Sequence, residues 1–491
     1  MKIPSFPACI LLFIGLALLS FTTYAQPQDS GTALKERIQP YSENSFYWQY
    51  DGEPLFLIGG SWQDNLFNHP TGLEGHLDLL TSVGGNYVRN VMSHRNMGNV
   101  FTYIQKDDGL YDLDHFNEEY WQRFENFLEM TYERDIIVQL EVWATWDLYE
   151  DHQSLGGWSY NPLNPVNNSS YNKENSGLPV KVNYAPQSNP TSHPFFRSIP
   201  ELDNNKLLLA YQQEYVDKIL SYSLQYPHIL YTINNETGEH LEWGDYWADY
   251  VRNQAEEMGV QVHVTDMRRN ENIRGDDHGY IFNNPDRYTF VDISQNNAFS
   301  GLGESHYESI LYVRNLFKDL PRPINNNKNY GGARHGEEES VARMGRILFG
   351  GAASARFHRP HPIEDPGAHE AKSDYGLGLS PRAQKIIQSI SRVTGILAFE
   401  RTQPRGDLLH SVDEVYLLAE PGIQYAAYYP FGGTATIDIE PTGENFQYRW
   451  INLDQGRWSK FGTESTEGLT KFTAPDSGHW ILVVLKEFSN N

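Results

Sequence analysis

Eight times between residues 55 and 357 the chain passes from a short apolar run to a stretch with helical spacing, and no other feature restricts its fold as tightly. The runs are 55–58, 86–90, 136–140, 229–233, 260–265, 290–294, 323–326 and 352–357. Strands that alternate with helices make a parallel sheet, because a parallel neighbour can be reached only through a crossover connection. The helical stretches carry the stripe this requires: Leu208, Tyr211, Tyr215, Ile219 and Tyr222 within 206–226, and Trp121, Phe124 and Leu128 ahead of the third run. Ser380 followed by Pro381 opens the last helix, which is expected to reach about residue 399. Eight such units predict an α/β chain with a (β/α)8 TIM barrel over residues 46–400.

From Thr402 the pattern changes. Short alternating runs at 415–419, 425–429, 434–439, 446–451 and 480–485, separated by Pro421-Gly422 and Gly432-Gly433, predict a small antiparallel β-sandwich over 401–491. Ahead of the barrel, Asp51-Gly52 between two apolar runs predicts a hairpin. Residues 149–205 are rich in Asn, Pro and Ser and too long for an ordinary connection; with Trp158, Tyr160, Phe195 and Phe196 they are expected to wall the cleft. The first 25 residues read as a signal peptide: Lys2, an apolar run from Cys9 to Leu19, then Thr23-Tyr24-Ala25. The run is short of the roughly 20 residues a membrane span needs. Cleavage after Ala25 sends the chain to the periplasm or outside the cell and leaves 26–45 as a loose leader. Cys9 is the one cysteine, so the mature chain has no disulfide, thiolate metal site or cysteine nucleophile. With 63 Asp and Glu against 38 Lys and Arg, the net charge of −25 disfavours nucleic acid and anionic membranes as partners.

Barrel chemistry sits where strands end and the following loops begin. The fourth run ends Ile233-Asn234-Asn235-Glu236, delivering an amide and a carboxylate to the mouth. Burial in a partly dry cleft raises a carboxyl pKa, so Glu236 is expected to donate a proton to a leaving group while Asn235 holds a substrate hydroxyl. The alternative role for Glu236 is a helix cap.

Several stretches resemble the apiosidase-like (β/α)8 glycoside hydrolases that carry a small C-terminal sandwich labelled collagen-binding. They are Gly85-Asn86-Tyr87-Val88-Arg89, Leu140-Glu141-Val142-Trp143, Pro227-His228-Ile229-Leu230-Tyr231, Val264-Thr265-Asp266-Met267, Gly350-Gly351-Ala352-Ala353, Tyr425-Ala426-Ala427-Tyr428 and Tyr448-Arg449-Trp450-Ile451-Asn452. At Asn235-Glu236 the chain is similar to the retaining clan A glycoside hydrolases, and the resemblance implies that Glu236 is the acid/base and that Arg89 orients a catalytic carboxylate. Nothing in these residues supports collagen as a ligand. The resemblance also implies a nucleophilic Glu after the seventh strand, where this chain has Asn325-Asn326-Asn327-Lys328-Asn329-Tyr330. A lysine cannot take that role. Retention needs two carboxyls about 5–5.5 Å apart and inversion about 6.5–9.5 Å. Asp266 is the first choice for the second carboxylate, with Asp292 or Glu337 to Glu339 as alternatives. A glycan-binding barrel that has lost its nucleophile, or a lyase using Lys328 or a Tyr as base, are the other readings.

Arg268, Arg269, Lys328, Arg334, His335, Arg356, His358, Arg359 and His361 cluster at strand ends in an otherwise acidic chain. Either they pair with acids such as Asp266, Glu337 and Glu364, or they hold sulfate or carboxylate groups of an anionic plant or algal polysaccharide. Trp62, Trp143, Trp146 and Trp243 are placed to stack on pyranose faces, and Glu141 and Asp147 are further polar candidates. No metal site is expected from His358 and His361, and without P-loop, GxGxxG or GxSxG patterns no cofactor is expected.

Overall fold

The computed structural model describes residues 35–96, 98–149, 157–182, 193–297, 303–330, 336–359, 376–443, 445–462 and 468–486. The signal segment, most of the leader, and Arg334, His335, His361 and Glu364 lie outside these residues.

Eight parallel strands occur where the apolar runs predict them: β1 (Leu57–Gly60), β2 (Tyr87–Val91), β3 (Ile137–Trp143), β4 (Ile229–Asn234), β5 (Val264–Thr265), β6 (Val291–Asp292), β7 (Ile324–Asn325) and β8 (Ser354–Phe357). β2, β3, β4 and β5 form one ladder, β6 pairs with β7, and β8 returns to pair with β1. Backbone bonds link these sheets in chain order, among them Asn86 N to Ile58 O at 2.9 Å, Thr289 N to Val264 O at 3.0 Å, and Ala353 N to Ile324 O at 2.8 Å. Among the described residues, eight helices of seven residues or more alternate with the strands: α1 (Leu73–Ser82), α2 (Glu118–Glu133), α3 (Lys206–Ser223), α4 (Leu241–Glu257), α5 (Asp276–Phe282), α6 (Glu304–Leu316), α7 (Gly336–Phe349) and α8 (Pro381–Thr394). Side chains cap three of them: Asn117 accepts from Glu119 N, Asn205 from Leu208 N, and Ser380, as expected, from Ala383 N ahead of Pro381.

The strands' N-terminal ends are plugged. Trp48–Tyr50 and Glu53–Leu55 form the expected hairpin, turning at Asp51 and Gly52 with φ of 52° and 82°. Trp48 packs with Leu57, Tyr87, Ile137, Leu230, Phe290 and Ala353, and its Nε1 donates to Asn325 Oδ1 at 2.8 Å. The leader is not loose in its described part: Gln39–Pro40 pairs with this hairpin, and buried Ile38 donates its amide to Pro227 O. Above the plug, Gln139 donates to Thr232 and Asp292 and accepts from Asn325, so a polar layer fills the interior below the mouth.

The C-terminal part is two antiparallel sheets. One holds β9 (Tyr416–Glu420), β10 (Gln424–Tyr429), β12 (Phe446–Asn452) and β14 (Trp480–Lys486); the other holds β11 (Thr434–Ile439) and β13 (Gly468–Thr473). β13 has no counterpart among the expected runs because its Leu-Thr-Lys-Phe-Thr sequence buries only one residue fully. The face of the first sheet turned away from the second shares one hydrophobic core with the strand-and-helix part through Leu418, Tyr428, Ile451, Ile481 and Val483. α7 is the seam. It is buried from Ser340 to Phe349, its Arg346 meets Glu414 at 2.6 Å, and its Gly345 leaves room for the Tyr428 ring, which an added Cβ would meet at 2.1 Å.

In the long insertion, Trp158, Phe195 and Phe196 are buried in the core while Tyr160 is exposed. Asn164 binds the carbonyls of Trp158 and Val180, and Asn168 those of Pro162 and Asn164. The Asn-rich composition therefore replaces sheet or helix bonds with side-chain bonds to the loop backbone.

Candidate active site

Arg89, from β2, organises the mouth. Its Nε and Nη2 form a fork on Glu141 of β3 at 2.5 and 2.7 Å, its Nη1 lies 2.6 Å from Asp64 beyond β1, and Nη2 also reaches Asn235 Oδ1 at 2.9 Å. All four residues are buried. Burial opposes the charge on Asp64, but Arg89, Arg359 and Arg95 outweigh it and hold its carboxyl well below the usual range.

Glu236 lies just past Asn234, the last residue of β4. Its φ of 54° is left-handed, a conformation costly for a residue with a Cβ and one that collects at functional sites. Oε1 accepts from Lys328 Nζ at 2.5 Å and from Tyr330 hydroxyl at 3.1 Å, and Oε2 accepts from Trp146 Nε1 at 3.0 Å. Lys328 Nζ also donates to Asn235 Oδ1 at 2.8 Å, so Asn235 accepts from both Arg89 and Lys328. Here the structure corrects the sequence reading. Burial does push the Glu236 carboxyl upward, but the adjoining Lys328 ammonium, with help from Arg89, overrides it and drives the pKa far down. The resting carboxylate is charged. Lys328 is itself lowered, by burial and by Arg89, with Glu236 and Glu141 holding it up.

Asp266 does not join this group. It accepts from Asn234 N and Nδ2 at 3.2 and 2.8 Å and from Arg268 at 3.2 Å, and an added Cβ at Gly244 of α4 would lie 2.8 Å from its Oδ2. It faces the helix layer, as Val264 two residues earlier does. The alternatives are also placed elsewhere. Asp292 lies in the interior layer with Gln139 and Ser294, while Glu338 and Glu339 bind Arg382 and Arg346 at the seam. Trp143 is corrected as well: it packs among Phe195, Tyr215, Trp243 and Trp247 behind the strands, so it and Trp243 are core. Trp146 is a hydrogen-bond donor to Glu236, and Arg269 lies over its ring. Trp62, 39% exposed, is left as an open aromatic surface. His358 and Arg359 both face Asp64, at 3.7 and 2.8 Å, and burial holds the His358 imidazole neutral. Asp147 accepts from Ser93 at 2.7 Å. Sequence reasoning missed Asp64 and Tyr330; both follow strand ends, which is the signal that could have found them.

An α/β chain of parallel strands followed by an antiparallel unit is a fold that solved structures share. The chain is similar to a glycoside hydrolase family 5 structure from Bacteroides vulgatus, with TM-score 0.61 and 13% identity over 91% of this chain and 93% of that one. It is similar to a second structure described as a glycoside hydrolase, with TM-score 0.60 and 11% identity over 93% of this chain and 98% of that one. More particularly, residues 410–485 match a family described as "Putative collagen-binding domain of a collagenase". No curated protein matches the chain.

Proposed function

We propose that the chain is a secreted glycoside hydrolase on a (β/α)8 barrel, acting on an anionic plant or algal polysaccharide fragment with Glu236 as its acid/base residue. One observation carries the reading: a carboxylate in a left-handed backbone conformation at the end of β4, on which side chains from beyond β3 and β7 converge. The return of β8 to β1 supports a barrel, and the apolar segment ending at Ala25 supports export.

Because Glu236 is charged at rest, it gives a proton only after an incoming sugar hydroxyl separates it from Lys328. Burial then dominates and raises the carboxyl's pKa. The protonated carboxyl passes its proton to the glycosidic oxygen, the carbon–oxygen bond breaks, water adds to the anomeric carbon, and a proton returns to Glu236. Asn235 and Lys328 hold hydroxyls beside it, and Trp62 offers an apolar face. Glu236→Gln should lower kcat by about 10²–10⁴-fold while the chain keeps its native circular dichroism spectrum. An undiminished kcat removes Glu236 from the mechanism.

A second reading, a barrel that binds glycans without cleaving them, is favoured by Lys328 on the Glu236 carboxylate and by the absence of Asp266 from the mouth. It predicts that wild type and Glu236→Gln bind oligosaccharides alike and that neither releases reducing ends.

A further inference from the structure

Most of the described cations that the sequence places at the strand ends are already engaged. Arg359 and His358 face Asp64, Arg268 faces Asp266, Lys328 holds Glu236, and Arg356 donates to the Asn327 carbonyl and to Ser61. Arg269 differs. Among the described residues its guanidinium meets no carboxylate; it lies half-buried with its centre 5.6 Å from the Trp146 ring centroid.

Its place beside Glu236 is fixed by backbone. Thr237, the next residue after Glu236, donates its amide to Met267 O at 2.9 Å and accepts from Arg269 N at 3.0 Å, stitching the loops that follow β4 and β5. Arg268 is buried on the opposite side, bound to Asp266 and to the Glu239 carbonyl. Trp146 completes the link, with its Nε1 on Glu236 and its ring under Arg269. A guanidinium backed by an aromatic ring keeps its N–H edge available, and that edge matches a planar or tetrahedral oxyanion.

We infer that Arg269 is the residue that reads an anionic substituent, sulfate or carboxylate, on the sugar bound beside Glu236. This rests on the glycoside hydrolase reading above for its turnover arm and on binding alone for the other. Three probes separate the chemistry: oligosaccharides of a sulfated galactan, the same after chemical desulfation, and oligogalacturonates. Arg269→Ala should lower kcat/KM on the preferred anionic probe by about 10–100-fold, the loss of one charge-assisted fork, and Arg269→Lys by less. The preference over the desulfated probe should shrink by the same factor. Calorimetry on Glu236→Gln with and without Arg269→Ala gives the same contrast without turnover. If no probe is cleaved but the anionic one binds through Arg269, the hydrolase reading fails and this inference stands. Cleavage with equal losses on charged and uncharged probes, or with no loss, overturns the inference and leaves the hydrolase reading intact.

Discussion

Lys328→Met tests the electrostatics of the mouth most sharply, because it removes a charge while keeping a stem of similar length. Glu236 is held down chiefly by Lys328, whose Nζ is 2.5 Å from Oε1 with little solvent between them. With charge centres about 3 Å apart and an effective dielectric near 20, the attraction is about 5.5 kcal/mol, or about 4 pKa units. Burial remains in the variant, so the carboxyl should rise into the range of about 4–6. The assay is the pH titration of the Glu236 carboxyl carbon by ¹³C NMR, assigned by its disappearance in Glu236→Gln. Stability should respond with a definite sign. In wild type the depressed carboxyl contributes stability above the unfolded value of about 4.3, lost as pH falls toward the folded value. In the variant the sign reverses: a carboxyl raised toward about 6 costs up to about 2 kcal/mol at neutral pH, relieved as acid protonates it. A carboxyl that stays ionised to pH 3 in Lys328→Met would refute the reasoning and assign the charge to Arg89, Trp146 and Tyr330 instead.

Gly345→Ala should destabilise the seam by about 1–3 kcal/mol, since the new methyl meets the Tyr428 ring; calorimetric unfolding checks this, and an unchanged Tm argues against the close approach. His76, His193 and His263 are buried, and burial lowers their pKa values to about 4, 3 and 4. The unfolded chain then binds more protons below about pH 6.5, so stability should fall with acid from there toward pH 4, by up to about 2 kcal/mol per histidine at pH 5. Urea unfolding at pH 7 and pH 5 measures it, and equal midpoints contradict the assignment.

Strand position was readable in the sequence because each parallel strand is a separate apolar run, and the ends of β2, β4 and β7 therefore pointed to Arg89, Asn235, Glu236 and Lys328. What failed was side-chain direction. Asp266 and Val264 share a parity, and Val264 packs in the core, so Asp266 turns to the helices; the reading by strand end alone ignored this. Trp143 fails for a related reason, because an indole near a strand's end fills the core as readily as a cleft. Charge was left open between pairing and substrate binding. A run of cations looks available in sequence, yet Asp64, some 30 residues before Arg95 and nearly 300 before Arg359, gathers both. The direction of the Glu236 shift depended on the Lys328 contact across 92 residues, which composition and spacing do not reveal.

Cleavage of the preferred oligosaccharide in ¹⁸O-labelled water decides whether this mouth hydrolyses a glycosidic bond. Hydrolysis puts one ¹⁸O in each new reducing end and gives no unsaturated product absorbing in the ultraviolet. Unlabelled product with that absorbance would establish elimination instead, and intact oligosaccharide that binds without cleavage would establish a barrel that only captures its glycan.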